Sequence, residues 1–284
     1  MVDLAVANRT ETFARIRDPL EKRGIRALHL PVRGRTVSLT DDPPWQRGAY
    51  DVGLVYPGRI MEGAVADALL EIPWVNGRDA VLDSRNKAAT IARLDRAGLP
   101  VPETVLVSNP VEEDAVLEAA ATIGYPLVVK PNSTTRGRGV TRVDDPDSLL
   151  GVVDYLSLVH DVPTTRDRSY LLQEFIPDAT DYRVMVIDGR CVGAVRRQAP
   201  GGDRWRHSVH RGATATGVQP DEAIRDLAGE TAAVLDLSYL GVDLLVADGQ
   251  VTVTETNVRP TVDDPEKYDA DFFDRLAQLI RSRV

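Results

Sequence analysis

Four groups of residues in this sequence have types and spacings that could do chemistry. The first is Val128-Val129-Lys130-Pro131, followed by Thr134-Thr135-Arg136-Gly137-Arg138-Gly139. An apolar run ends in a lysine, and a loop of small residues turns back after it. Glycines let backbone N–H groups approach an anion closely, and hydroxyls add donors. The lysine precedes the glycines and no helix follows them, so this is not a Walker-type phosphate loop. An exposed hairpin with an ordinary lysine would read the same way. The second group is Gln173-Glu174-Phe175-Ile176, then Asp181-Tyr182-Arg183. A strand running into an acidic hinge could offer backbone groups to a base, and Asp181 could accept a sugar hydroxyl. A surface acid is the plain alternative.

The third group is Gly241-Val242-Asp243 with Glu255-Thr256-Asn257, twelve residues from Asp243 to Glu255. Three oxygen ligands near the ends of paired strands suit a hard cation such as magnesium. An acid inside the apolar run Leu240–Val246 is costly unless it is paired or metal-bound; an edge-strand surface acid is the other reading. The fourth group is basic: Arg196, Arg197, Arg204, Arg206, His210 and Arg211, around Gly201, Gly202 and Gly212. Such a set could hold polyphosphate and a carboxylate, or be an array of surface ion pairs.

These groups need elements to position them. Val2–Ala7, Ile25–Leu30 and Tyr50–Tyr56 read as strands and Thr10–Arg23 and Glu62–Leu70 as helices, a small α/β unit over residues 1–85. Helices are predicted at Asn86–Ala97, Glu112–Ile123 and Pro146–Val159, with strands ending at Lys130 and spanning Tyr170–Ile176. Tyr182–Ile187 and Cys191–Arg197 flank Asp188-Gly189, a strong hairpin signal. A second hairpin, Leu240–Val246 with Val251–Thr256, turns at Asp248-Gly249. Strand side chains alternate faces, so a simple two-residue turn would set Glu255 opposite Val242 and split the third group. The expectation is a three-residue or bulged connection at Asp248-Gly249-Gln250, which brings Glu255 opposite Asp243.

The chain has 284 residues, enough for two or three packed units. Its net charge of −9 argues against a sequence-independent grip on nucleic acid. No apolar run approaches the length that spans a bilayer, and the start does not read as a secretion signal. One cysteine, Cys191, makes no internal disulfide and suits a reducing cytoplasm. Of 34 basic residues only four are lysine: Lys22, Lys87, Lys130 and Lys267. Where arginine has taken nearly every other position, a surviving lysine is a candidate for a tight pocket that needs a point charge.

In this order the segments resemble the ATP-grasp ligases, and within them the RimK-type carboxylate–amine ligases that attach glutamate. The match runs from about Asp83 to Asn257. The resemblance implies an α/β (α+β) ATP-grasp fold: an N-terminal domain over 1–85, a central subdomain with a glycine-rich lid over 86–172, and a C-terminal subdomain with the metal site over 173–284. It implies nucleotide contacts from Lys87, Lys130, Thr135, Gly137, Gly139, the hinge Gln173, Glu174, Phe175 and Ile176, Asp181 at the ribose, and Arg206, His207 and Ser208. Asp243, Glu255 and Asn257 would bind two magnesium ions, for which manganese could substitute. Arg183, Arg197, Arg206, His210 and Arg211 would serve catalysis. The partners implied are ATP, a carboxylate substrate and an amino-acid or amine acceptor, with no nucleic acid and no membrane; a homo-oligomer stays open. Alternatives are a ligase for a pterin or other coenzyme, a lysine-pathway carrier or a peptide, and an inactive nucleotide-binding regulator. Val258-Arg259-Pro260-Thr261 departs from the family's usual small residue and Pro-Gly. Arg259 would touch the acceptor, or pair at the surface with Asp263 or Asp264.

Overall fold

The computed structural model describes residues 1–7, 11–40, 44–45, 47–135, 137–159, 167–198 and 213–284. Three sheets follow one another along the chain. β1 (Val2–Val6), β2 (Ile25–His29) and β3 (Val52–Val55) form a parallel sheet in the order β2-β1-β3. These short apolar strands alternate with α1 (Glu11–Glu21) and α2 (Ile60–Leu70), the pattern that buries a parallel sheet.

Two more helices, α3 (Arg78–Arg85) and α4 (Lys87–Arg96), lead to the second sheet. It is antiparallel, built from β4 (Thr104–Ser108), β5 (Leu127–Pro131), β6 (Thr141–Val143) and β7 (Ser169–Glu174) in the order β4-β7-β5-β6. One face packs its Leu127, Val129 and Leu172 with α5 (Glu113–Ile123) and α6 (Pro146–Val159). Alternation sends Lys130 and Gln173 to the other face.

The third sheet holds β8 (Thr180–Ile187), β9 (Arg190–Gln198), β10 (Thr214–Val218), β11 (Tyr239–Ala247) and β12 (Gln250–Asn257), ordered β10-β9-β8-β11-β12. Val184, Val186, Val242 and Leu244 turn to one core with the buried side of α7 (Glu222–Leu235), and Val81 and Leu94 of α3 and α4 join them. α4 therefore packs with the third sheet, although it precedes the second. Met185, Ile187 and Val192, on the opposite face, share a core with Leu4, Ile16 and Phe272 and Leu276 of the last helix, α8 (Phe272–Arg281). The C-terminus thus closes on the first sheet.

The expected hairpin differs from the structure in where its extra residue lies. Ala247 pairs with Gln250, so Asp248-Gly249 is a two-residue turn, with both residues at positive φ (49° and 77°) as such turns require. The register shifts further in: Leu244 pairs with Val253 but Asp243 with Glu255, leaving Thr254 as a bulge. The cross-strand partner expected for Glu255 is found, through a bulge within the strand and not at the turn. Sequence reading also passed over α3, which buries only Val81, and the short strands β4, β6 and β10.

Asn76 ties the first unit to the third. Its Nδ2 donates to the carbonyls of Tyr239 (2.6 Å) and Val258 (2.9 Å), and the residue is buried. Asn76→Ala leaves both carbonyls without their donor. It should lower stability by ~1–3 kcal/mol, seen as an earlier denaturation midpoint. A wild-type midpoint would mean that Asn76 does not join the units.

Candidate active site

The polar faces of the second and third sheets meet in a cleft. On the third sheet, pairing and alternation gather charge on one face: Asp243 opposite both Glu255 and Arg183, and Asp181 opposite Arg197. Arg183 donates to both Asp243 oxygens at 2.7 Å, and Arg197 reaches Asp243 at 3.2 Å and Asp181 at 2.5–2.8 Å. Burial pushes the Asp243 carboxyl up, but the two guanidinium groups outweigh it and hold the pKa below the ordinary value. Asp181 is pushed up to about 7, first by burial and further by Asp243, with Arg197 opposing. Burial alone would lower Arg183; Asp243 raises it.

From the second sheet, buried Lys130 donates to Gln173 Oε1 (2.7 Å) and to the carbonyl of Thr254 (3.4 Å), the bulge residue. Burial lowers its pKa to about 8, with Glu255 opposing and Lys87 adding to the depression. Gln173 is itself held, its Nε2 donating to Thr104 Oγ1 at 2.7 Å. Lys87 opens α4. A cation in a helix's first turn opposes the macrodipole, so its position needs anionic company. Glu255 lies 3.5 Å away, and the carbonyls of Asn132 (3.3 Å) and Thr134 also accept from Nζ. Two residues that the sequence reading did not single out as site residues fix this geometry. Asn86 caps α4 by accepting from Ala89 N (3.1 Å), and Asn132 donates to Asn86 Oδ1 (3.1 Å) while accepting from Ala88 N (2.9 Å).

Asp181 is buried against Arg197, whose Nε and Nη2 both donate to its Oδ1. Gln173 orients Lys130, and Glu174 accepts from Glu103 N at 3.2 Å. Arg142 lies over the Phe175 ring, 4.6 Å from its centre. Asn257 Oδ1 accepts from Arg259 N at 2.9 Å. Asp263 and Asp264 are taken by Arg15 and Lys267, while the Arg259 guanidinium lies against Gly58. In the small-residue loop, Thr134 Oγ1 donates to Arg138 O (2.9 Å), and Gly139, at φ 77°, sits where a Cβ would come within 2.7 Å of Pro131. Among the described residues no three His, Cys, Asp or Glu side chains cluster as a metal site; the expected set has two carboxylates and an amide. Arg136, Arg204, Arg206, His207, Ser208, His210 and Arg211 lie outside the described residues.

The model of the RimK-like ATP-grasp domain matches residues 84–280. The chain belongs to the RimK-like ATP-grasp family. A relative described as a probable alpha-L-glutamate ligase, from Stenotrophomonas maltophilia, is 34% identical over 194 residues, covering 67% of this chain. The chain covers 63% of that relative's length. Two solved structures share the ATP-grasp fold. D-alanine–D-alanine ligase from Bacillus anthracis, complexed with ATP, gives a TM-score of 0.69 at 17% identity, covering 100% of this chain and 97% of that one. The ATP-grasp ligase PsnB, complexed with minimal precursor, Mg and ADP, gives 0.70 at 17% identity, covering 99% and 96%. Among the described residues of this ATP-grasp chain, no helix is long and apolar enough to cross a membrane.

Four lysines allow each ammonium to be followed by NMR on 15N-lysine-labelled protein. Lys130 should lose its proton with a midpoint near pH 8. The sign follows from linkage: between about 8 and the ordinary 10.5 the unfolded chain holds this proton and the fold does not, so the Lys130 contribution to stability rises with pH across that window. A midpoint at the ordinary lysine value would mean that the ammonium is solvated.

Proposed function

We propose that the chain is an ATP-dependent carboxylate–amine ligase that works through an acyl phosphate, with units over 1–85, 86–172 and 173–284. The observation that carries this reading is the convergence of buried Lys87 and Lys130 on the strand where the Thr254 bulge pairs Asp243 with Glu255. A substrate carboxylate oxygen attacks the γ-phosphorus as its bond to ADP breaks. The amine then attacks the acyl carbon, phosphate leaves, and the nitrogen gives up a proton. The protein's task is positioning and charge stabilisation. Lys87 and Lys130 would face the phosphates. The Gln173–Ile176 segment, which joins the two sheets, would take the base. Arg183 and Arg197 would steady the charge of Asp243. Arg206, His207, Ser208, His210 and Arg211 are carried into the site as proposals from the family pattern alone.

Asp243, Glu255 and Asn257 supply only oxygen, the donor type magnesium takes, and Glu255 is 38% exposed toward the cleft. Magnesium bound there would neutralise phosphate oxygens. By analogy with the relative named above, glutamate is the amine substrate proposed. The lone Cys191 supports a cytoplasmic setting.

A screen of ADP release over carboxylate and amine pairs tests the reaction. Once a productive pair is found, Glu255→Gln should lower turnover by about 10²-fold or more with an unchanged denaturation midpoint. Turnover at the wild-type rate would remove Glu255 from the chemistry. No ADP release with any pair would remove the ligase reading.

A further inference from the structure

Alternation gives β12 a face that the cleft does not use. Glu255 pairs with Asp243 on the cleft face, whereas Thr256 pairs with Val242, which turns to the core shared with α7. On that reverse side lies a cavity of about 280 Å³ between α3, α4 and the end of α7. Asp83, Ser84, Thr90, Arg93, Asp236 and Thr256 form its polar lining, and the rest of the lining is apolar. A second space, of about 10 Å³ and room for about one water, shares Ser84, Thr90 and Thr256 with it and adds Lys87 and Glu255. The cavity thus backs on the strand of Glu255 and the helix of Lys87, while neither residue lines it.

Two hydroxyls in this lining have no task in the fold. Thr90 is 6% exposed and Thr256 5%, and among the described residues neither Oγ1 has a hydrogen-bond partner. Ser84 Oγ donates to the Thr256 carbonyl at 3.2 Å and leaves the Thr256 hydroxyl untouched. A threonine inside a helix can return its hydroxyl to the carbonyl four residues back. Thr231 of α7 does so, donating to Leu227 O at 2.7 Å; Thr90, four residues into α4, does not. A buried hydroxyl without a partner is costly, and a ligand that bonds both of these removes the cost.

The charges of the lining favour a cation. Asp236 ends α7 at φ 56°, in the left-handed conformation that glycine or asparagine usually takes at this position. A carboxylate there also opposes the negative end of the helix. Arg93, the base of the lining, does not relieve it: Arg93 lies 3.7 Å from Asp83 and donates to the carbonyl of Val234 at 3.3 Å. Among the described residues no base pairs with Asp236. Two acids, Asp83 and Asp236, against Arg93 leave the lining one negative charge in excess.

We propose that this cavity binds a small organic molecule through a primary ammonium group held by Asp236 and the end of α7. The ammonium supplies three N–H donors to a carboxylate and helix-end carbonyls, and a polar group on the same ligand meets Thr90 and Thr256. A bare divalent ion fits less well, because it takes six or more oxygen ligands at short range, and the apolar part of the lining offers none. The site is not that of the reacting amine, which must reach the cleft face of β12. It does not depend on the ligase reading.

Backbone amide NMR on the 15N-labelled chain without nucleotide, titrated with ethanolamine, putrescine and L-lysine, tests this. At least one of the three should shift the amides of Leu237 and Thr256 saturably. Choline, equal in charge but with no N–H on its nitrogen, should bind about fivefold or more weakly than the best of them. Asp236→Asn keeps a residue suited to the left-handed position and removes the charge. It should weaken the amine about fivefold or more, and leave the denaturation midpoint of the free protein unchanged or higher, since an acid has gone from the negative end of a helix. Thr90→Val removes the hydroxyl at nearly constant volume, should weaken the amine about threefold, and carries the test if Asp236→Asn fails to fold. No saturable shift with any of the three amines, shifts centred on Glu255 and Lys130, choline bound as well as the amines, or unchanged affinity in a folded variant overturns the site.

Discussion

One extra residue in β12 decides which face of the third sheet Glu255 occupies. If the turn alone set the register, Asp243 would lie opposite Thr254, and Glu255 would point into the core shared by Val242 and α7. The bulge at Thr254 moves the pairing by one, and Asp243 and Glu255 then face the cleft together. It is fastened on both sides: Thr254 Oγ1 donates to Asp243 O at 3.2 Å, and the Thr254 carbonyl accepts from Lys130. The same residue that sets the register of one sheet thus touches the lysine of the other.

Charge completes the arrangement. Arg183 and Arg197 balance Asp181 and Asp243, two against two. Lys87 lies 3.5 Å from Glu255, and Glu255 and Asp243 both act on Lys130. Burial is what lowers the pKa of Lys130, against the pull of Glu255. A polyphosphate with its metal would meet the two ammonium groups. The segment Ser84–Lys87 sits at the centre, tying β12, Gly58, Asn132 and Glu255 to one short junction.

Much of this was legible in the sequence, for physical reasons that differ between parts. The scarcity of lysine marked Lys87 and Lys130, because arginine cannot replace a point charge in a closed pocket. An acid inside an apolar strand marked Asp243. The need for Glu255 to face it required a register shift, and that shift is present. Its place was not legible, since Asp248-Gly249 accommodates a regular two-residue turn and nothing in Val251-Thr252-Val253-Thr254 announces a bulge. The contacts of Asp181 and Gln173 were not legible for a related reason: alternation says which face a residue takes, and only tertiary packing says who stands opposite. Asn86 and Asn132 carried no signal beyond a capping position. α3 was missed because a helix that buries a single valine has almost no apolar period.

The most direct measurement is a crystal structure with magnesium and a non-hydrolysable ATP analogue. The account predicts carboxylate oxygens of both Asp243 and Glu255 at ~2.0–2.1 Å from the metal ions, with Lys130 Nζ on a phosphate oxygen. A nucleotide bound with its metal elsewhere, while Asp243 stays closed on Arg183 and Glu255 stays distant, would contradict it.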